Sequence, residues 1–236
     1  MQKENVVSEI AKYSLQEVAK TIDHSLLKPE MAIDEVLAGC EIAKKYQVAS
    51  VCCKPADVEF CAKALLGTGV EIGTVVGFPH GSSATATKVF ETKLAISQGA
   101  TEIDMVINIG WMKSARFKEV EADIAAVVVA AEGKCVKVIL ENAYLTDEEI
   151  VLGCKMVESA GAQYAKTSTG YAPSGATLED VRLMRASLSP KMKVKSAGGV
   201  RTLDLLFEFL DAGISRSGAT TTAAMLDEYV TRFGGE

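Results

Sequence analysis

The hydrophobic pattern of the chain repeats. Short runs rich in Val and Ile alternate with longer stretches in which apolar residues return every three or four positions, which marks a strand followed by a helix. The strand runs are TIDHSLL (21–27), VASVCCKP (48–55), EIGTVVGFP (71–79), EIDMVIN (102–108), KVILENA (137–143), YAKTST (164–169), KVKSAGG (193–199) and ISRSGAT (214–220). Helical patterns lie near 32–46, 55–66, 84–98, 114–132, 147–160, 178–187, 202–212 and 221–232, and Thr146 with Glu149 has the spacing of a capping box. The period is that of a βα unit, roughly 30 residues. Eight such units predict a closed parallel (β/α)8 barrel in preference to an open doubly wound sheet. One barrel domain over residues 1–236 is expected, because α/β barrels of this length fold as one unit. An extra helix over residues 3–20 is expected to cover its bottom.

In a barrel, function belongs at the C-terminal ends of the strands, and the unusual residues fall there. Period-two alternation in EIDMVIN sends Ile103, Met105 and Ile107 toward the helices and Asp104 inward. In KVKSAGG, Val194 faces outward and Lys195 inward, with Lys193 of the same parity left at the solvated N-terminal end. In YAKTST, Lys166 and Ser168 share a face. A lysine amine is a nucleophile only when neutral, and its ordinary pKa of about 10.4 keeps it charged. Burial and a second ammonium nearby both disfavour the charge, so Lys166 beside Lys195 is a candidate imine-forming nucleophile. Loss of water from the carbinolamine, and proton transfer beside the imine, need an acid and base. Asp104 is the candidate, with the hydroxyls of Thr167, Ser168 and Thr169 available to orient groups. The competing reading of each residue alone is ordinary: a strand lysine at the surface, an aspartate satisfying loop amides.

Glycines add a second signal. Gly198 and Gly199 follow the seventh strand, and Ser217 to Thr221 end the eighth and open the last helix. Two such loops with a helix N-terminus form the usual phosphate cup of these barrels, since free N–H groups and the helix dipole favour an anion. Gly170 is expected to complete it.

Composition changes the picture only by exclusion. With 48% hydrophobic residues, 24% charged and a net charge of −6, the chain has no general pull toward nucleic acid or anionic membrane, so an anionic substrate needs a local site. No window approaches the roughly 20 apolar residues of a membrane span, and the first residues do not follow a signal-peptide pattern. A cytoplasmic location is expected. The six cysteines contain no CxxC pair and read as reduced thiols. His24 and His80 are the only histidines, too few for a His-rich zinc site, so no metal and no cofactor are expected.

TIDHSLLKP, VVGFPHG, EIDMVINIG, YAKTSTGY, VKSAGGVRT and RSGATT, in this order over nearly the whole chain, resemble the deoxyribose-phosphate aldolase family of class I aldolases. The resemblance implies a Schiff base on Lys166, the lysine of the KTSTG motif, with Lys195 perturbing it and Asp104 relaying protons. It implies phosphate contacts at Gly170, Gly198, Gly199 and Gly218, with hydroxyl residues at Thr220 and Thr221. It implies reversible cleavage of 2-deoxy-D-ribose 5-phosphate to acetaldehyde and D-glyceraldehyde 3-phosphate, in deoxynucleoside catabolism. The expected partners are therefore small phosphosugars and aldehydes, not nucleic acid or membrane; a homo-oligomer is compatible, with no interface legible.

Departures from the family pattern matter too. Ser25 stands where DHT is commoner. Tyr171 follows the STG motif where some members have a lysine near the phosphate, so that cation is lost. Some members end in a tyrosine tail that reaches the active site; here the chain ends Phe233-Gly234-Gly235-Glu236, and the role does not pass to Tyr229. Asp23 either lines the substrate pocket or closes a loop. Glu141 has interior parity in the fifth strand and either joins the polar network or anchors a loop. Cys52 lies near the pocket, and Trp111 reads as packing. The rival readings are an epimerase-like phosphosugar barrel and a catalytically silent phosphosugar-binding barrel.

Overall fold

The computed structural model describes residues 12–234. Eight strands, β1 (Ile22–Leu26), β2 (Ser50–Cys53), β3 (Glu71–Val76), β4 (Glu102–Val106), β5 (Cys135–Ile139), β6 (Tyr164–Lys166), β7 (Lys193–Ala197) and β8 (Arg216–Ala219), pair in chain order as a closed barrel. Every pairing is parallel, and β8 returns to β1 through the register of Asp23 with Gly218. The helices are α1 (Leu15–Ala19), α2 (Ile33–Tyr46), α3 (Val58–Ala64), α4 (Thr85–Ser97), α5 (Ile109–Lys113), α6 (Phe117–Ala130), α7 (Asp147–Ser159), α8 (Leu178–Ser187), α9 (Leu203–Asp211) and α10 (Thr222–Phe233). The expected (β/α)8 barrel is the observed architecture.

Alternation explains how the strands are held. Val51, Cys53, Ile103, Met105, Val136, Val138, Ala165 and Val194 point away from the barrel axis into a continuous apolar layer beneath the helices. Burial of such side chains, worth about 1.5–3 kcal/mol each, leaves the inward positions free to carry polar groups.

Several predicted boundaries are corrected. The strands stop earlier than the apolar runs, because the chain turns sharply after them through left-handed backbone, as at Gly77 (φ 62°) and Glu141 (φ 60°). The helix predicted over 55–66 begins as a 3-10 turn, Pro55–Asp57, before α3. The pattern over 114–132 resolves into α6, preceded by the unpredicted α5, and Ala115 at φ 55° separates them. Of the helix expected over 3–20, the described residues are helical only over Leu15–Ala19: Ser14 is the N-cap, its side chain accepting from Glu17 N while the Glu17 carboxylate accepts from Ser14 N. Residues 3–11 of that expectation lie outside the described residues. The capping box at Thr146 and Glu149 forms as predicted.

Candidate active site

Barrel interiors are usually filled by layers of bulky branched side chains. Here much of the middle is charged. Asp23 from β1, Glu102 and Asp104 from β4, Lys137 from β5, Lys166 from β6, Lys195 from β7 and Arg216 from β8 all turn inward, and all but Arg216 are at least nine-tenths buried. Each ion would cost several kcal/mol to bury alone, so the cluster stands only because its members are paired.

The pairing is uneven. Lys137 Nζ lies 2.5 Å from Glu102 Oε2, 3.0 Å from Asp104 Oδ1 and 3.4 Å from Asp23 Oδ2. Arg216 is paired with Asp23 and, at 2.9 Å, with Glu102 Oε1. Lys195 Nζ meets Asp23 Oδ2 at 2.5 Å and Asp104 Oδ2 at 2.7 Å. Among the described residues Lys166 has only Asp104, at 2.7 Å, and shares that oxygen with Lys195. Lys137, Lys195 and Arg216 can balance Asp23, Glu102 and Asp104, which leaves Lys166 as the amine whose charge the cluster least supports.

The electrostatics follow this arrangement. Burial lowers the Lys166 pKa, Asp104 opposes the change, Lys195 adds to it, and the net shift is downward. Burial also works against the Lys195 ammonium, but Asp104 and Asp23 outweigh it and hold its pKa above the ordinary value. Lys137 is raised in the same way against its three carboxylates. Burial pushes the Asp104 carboxyl up, yet Lys137, Lys166 and Lys195 together hold it well below the usual range. The site thus keeps an ionised carboxylate, two firm ammonium groups, and one amine biased toward neutrality.

Lys166 and Lys195 form part of the floor of a cavity of about 280 Å³ at the C-terminal end of the strands. Asp23 and Ser25 also border it, and the Asp23 carboxylate is occupied by Lys195, Arg216 and the Ser50 hydroxyl. Asp104 is fully buried beneath the two amines. Cys52 faces the cavity, and burial raises its thiol to about 11, so it is protonated at neutral pH.

The far side of the cavity is rich in glycine, with Val200 and Arg201 also at its border. Gly170, Gly198, Gly199, Gly218 and Thr220 border it, and α10 begins just beyond, at Thr222. Gly199 has φ 97° with no atom within 4 Å of an added Cβ. Gly218 has no left-handed backbone; a Cβ on it would lie 3.3 Å from Ala197 Cβ and 3.7 Å from Lys195 Cε. Thr221 is not at the cavity wall: its hydroxyl donates to Arg201 O at 3.1 Å, tying the loop after β8 to that after β7.

The hydroxyls beside Lys166 divide. Because β6 ends at Lys166, residues 167–169 leave the ladder. Thr167 Oγ1 accepts from Ala197 N at 3.1 Å, and Thr169 Oγ1 donates to Glu141 and accepts from Tyr171 N at 3.0 Å. In this structure both hydroxyls are engaged in holding loops, with Thr169 also at the cavity border; Ser168 Oγ is buried without a hydrogen-bond partner among the described residues. Glu141 lies past the end of β5 and its carboxylate accepts from both Thr169 N and Oγ1, so it holds the loop after β6.

Five contributors were missed. Lys137 and Glu102 carry the same parity as Glu141 and Asp104, so a parity reading extended along each strand would have found them. Arg216 has inward parity in ISRSGAT. Lys28 and Arg201, both at the cavity, carry no local signal beyond their charge. Among the described residues no group of three or more His, Cys, Asp or Glu is arranged to hold a metal ion.

Comparison with known proteins gives an independent result. A family model described as DeoC/LacD family aldolase matches residues 16–230. The deoxyribose-phosphate aldolase of Staphylococcus epidermidis is 50% identical over 202 residues, 86% of this chain and 92% of that protein. That of Bacillus cytotoxicus is 49% identical over 210 residues, covering 89% and 94%. The tetrameric deoxyribose phosphate aldolase of Aeropyrum pernix superposes with a TM-score of 0.86 at 27% identity, over 92% of each chain.

Proposed function

This chain belongs to the DeoC/LacD family of aldolases, and from that premise we propose that it cleaves 2-deoxy-D-ribose 5-phosphate reversibly to acetaldehyde and D-glyceraldehyde 3-phosphate, through an imine on Lys166. The observation that carries the reading is the position of the Lys166 amine. It is buried, shares one carboxylate oxygen with Lys195, and opens onto a cavity whose opposite wall is rich in glycine, at a helix N-terminus.

The chemistry follows from the geometry. The neutral amine of Lys166 attacks C1 of the open-chain sugar, and the carbinolamine loses water to give an iminium ion. The C3 hydroxyl gives up its proton, the C2–C3 bond breaks, and its electron pair moves through C2 to the iminium nitrogen. D-Glyceraldehyde 3-phosphate leaves, and the enamine that remains takes a proton at C2. Water then releases acetaldehyde and restores the amine. Lys195, held protonated, is the acid nearest the carbinolamine. Asp104, held ionised, accepts hydrogen bonds from both amines through Oδ2 and so links them for proton transfer, with water completing the exchange.

Phosphate at the cup supplies remote binding energy that places C1 against Lys166. Gly170, Gly198, Gly199, Gly218 and Thr220 are assigned to that cup; Thr221 frames it. The free cysteines accord with a reducing compartment, and cytoplasm belongs to this reading. Association with further copies of the chain belongs to it too, supported by the tetramer of the Aeropyrum pernix relative and by the exposed Leu66, Phe90 and Val129. Among the described residues no helix is long and apolar enough to cross a membrane.

Borohydride reduction in the presence of acetaldehyde tests the reading. An imine enzyme gains a covalent ethyl group on Lys166, mapped by mass spectrometry, and Lys166→Leu abolishes both label and turnover. A label that persists in that variant assigns the imine to another lysine. No label in the parent protein, with the sugar phosphate still bound, indicates a binding barrel or an epimerase.

A further inference from the structure

The loop after β1 borders the catalytic cavity through Leu27 and Lys28, and it is held from two sides. Lys54, just past β2, donates to Met31 O at 2.8 Å. From across the cavity mouth, the Tyr171 hydroxyl donates to Leu27 O at 2.8 Å. The Tyr171 ring also stands edge-on to Phe78, with centroids 5.4 Å apart and planes at 90°. Loops that follow β1, β3 and β6 therefore meet at one side chain, although Tyr171 is nearly half exposed.

Lys28 is the next residue after that anchor. Its side chain is exposed and borders the same cavity as Gly170, Gly199 and Thr220. Its ammonium has no hydrogen-bond or ion-pair partner among the described residues, in contrast to Lys166 and Lys195 on the floor. An unpaired cation on a pinned loop, opposite a cup of backbone amides that Arg201 also borders, is placed to meet a dianion.

We propose that Lys28 binds the phosphate of the substrate from the β1 side, and that the Tyr171 hydroxyl positions it by fixing Leu27. The proposal rests on the phosphosugar reading above. A phosphate ester carries a charge near −2 at neutral pH, and backbone N–H groups offset it only in part. A lysine is a flexible point charge and loses rotamer freedom when it binds. Tying the backbone one residue away lowers the ordering cost of the loop, so the tyrosine acts through the lysine and makes no contact with the reacting atoms.

The test is a double-mutant cycle on Lys28→Gln and Tyr171→Phe, with Lys28→Arg as the conservative control. The readouts are kcat/KM for 2-deoxyribose 5-phosphate relative to unphosphorylated 2-deoxyribose, and competitive inhibition by inorganic phosphate. Loss of one charge-assisted hydrogen bond corresponds to about tenfold or more. Lys28→Gln is therefore expected to lower the ratio about tenfold, through KM and not kcat, and to weaken phosphate inhibition in step; Lys28→Arg restores most of both. Tyr171→Phe is expected to lower the ratio by a smaller factor, and to add almost nothing in the Lys28→Gln background. An unchanged ratio in Lys28→Gln overturns the role of Lys28. A Tyr171→Phe loss that is equal with and without Lys28 overturns the positioning. Failure of the underlying reading is seen separately, as a parent protein that neither cleaves nor prefers the phosphorylated sugar.

Discussion

Lys166 and Lys195 donate to the same atom, Oδ2 of Asp104, each at 2.7 Å. Neighbouring ammonium groups on one oxygen cannot both be well compensated, and the second carboxylate, Asp23, is paired with Lys195 alone of the two. The inequality makes Lys195 the stable cation and Lys166 the amine that releases its proton.

Replacing Lys195 by Met removes a cation that lowers the Lys166 pKa and leaves Asp104 to pair more fully with Lys166. Both changes raise that pKa, so the acid limb of the rate profile, which reports formation of the neutral amine, moves to higher pH. Burial is the larger cause of the present shift, so the profile is expected to move upward without recovering the ordinary lysine value. Rates of imine formation with acetaldehyde across pH measure it. An unmoved profile would remove Lys195 from control of the nucleophile.

Lys137 and Lys166 are expected to differ in stability although both are buried lysines. Lys166→Met leaves Asp104 with Lys137 and Lys195, so the folded state loses little. Lys137→Met strips Glu102, Asp104 and Asp23 of a shared partner, and breaking such a pairing costs about 3–5 kcal/mol. Denaturant midpoints of the two variants compare them directly. Equal destabilisation would mean that the charges are not partitioned as described.

The phosphate cup is tested at Gly199, where an added methyl group meets no atom but the backbone at φ 97° suits glycine. Strain of about 1–3 kcal/mol is expected to shift the local amides. Gly199→Ala should therefore reduce kcat/KM for the phosphorylated sugar about tenfold relative to the unphosphorylated one. Gly218→Val is a poorer probe, since it presses on Ala197 and Lys195 and should depress both activities. A ratio unchanged in Gly199→Ala would move the phosphate away from β7.

His24 gives the fold a pH dependence of its own. Burial lowers its pKa from 6.5 to about 4, and its Nδ1 lies 2.8 Å from the Thr222 hydroxyl at the start of α10. Between those values the unfolded chain binds the additional proton, so stability falls as pH drops from 6.5 to 4, by about 3 kcal/mol for this group. The depressed carboxyls Asp23 and Asp104 act in the same direction, with their loss coming at still lower pH. Urea unfolding of the parent and His24→Gln at pH 7 and pH 4.5 measures the difference. An identical pH slope in the two proteins would exclude His24 as its source.

Much of this molecule is determined by local sequence. The exchange of period two for period 3.6 specifies eight strands and their helices because apolar burial depends on which face a residue occupies, and that is set by spacing alone. The same parity turns Asp104, Lys166 and Lys195 inward, and paired glycines mark where backbone is free to meet an anion. What the sequence left undecided is who meets whom. The hydroxyls of Thr167 and Thr169 went to loops because β6 ends three residues sooner than its apolar pattern. Lys137 took three carboxylates, Arg216 reached Asp23 across a separation of 193 residues, and Tyr171 found Leu27 across 144. Closure of the barrel and the relative height of its strands decide these pairings, and both arise from contacts between distant segments. The charge state of a buried amine depends on the sum of those contacts, so only the tertiary structure distinguishes Lys166 from the other inward lysines.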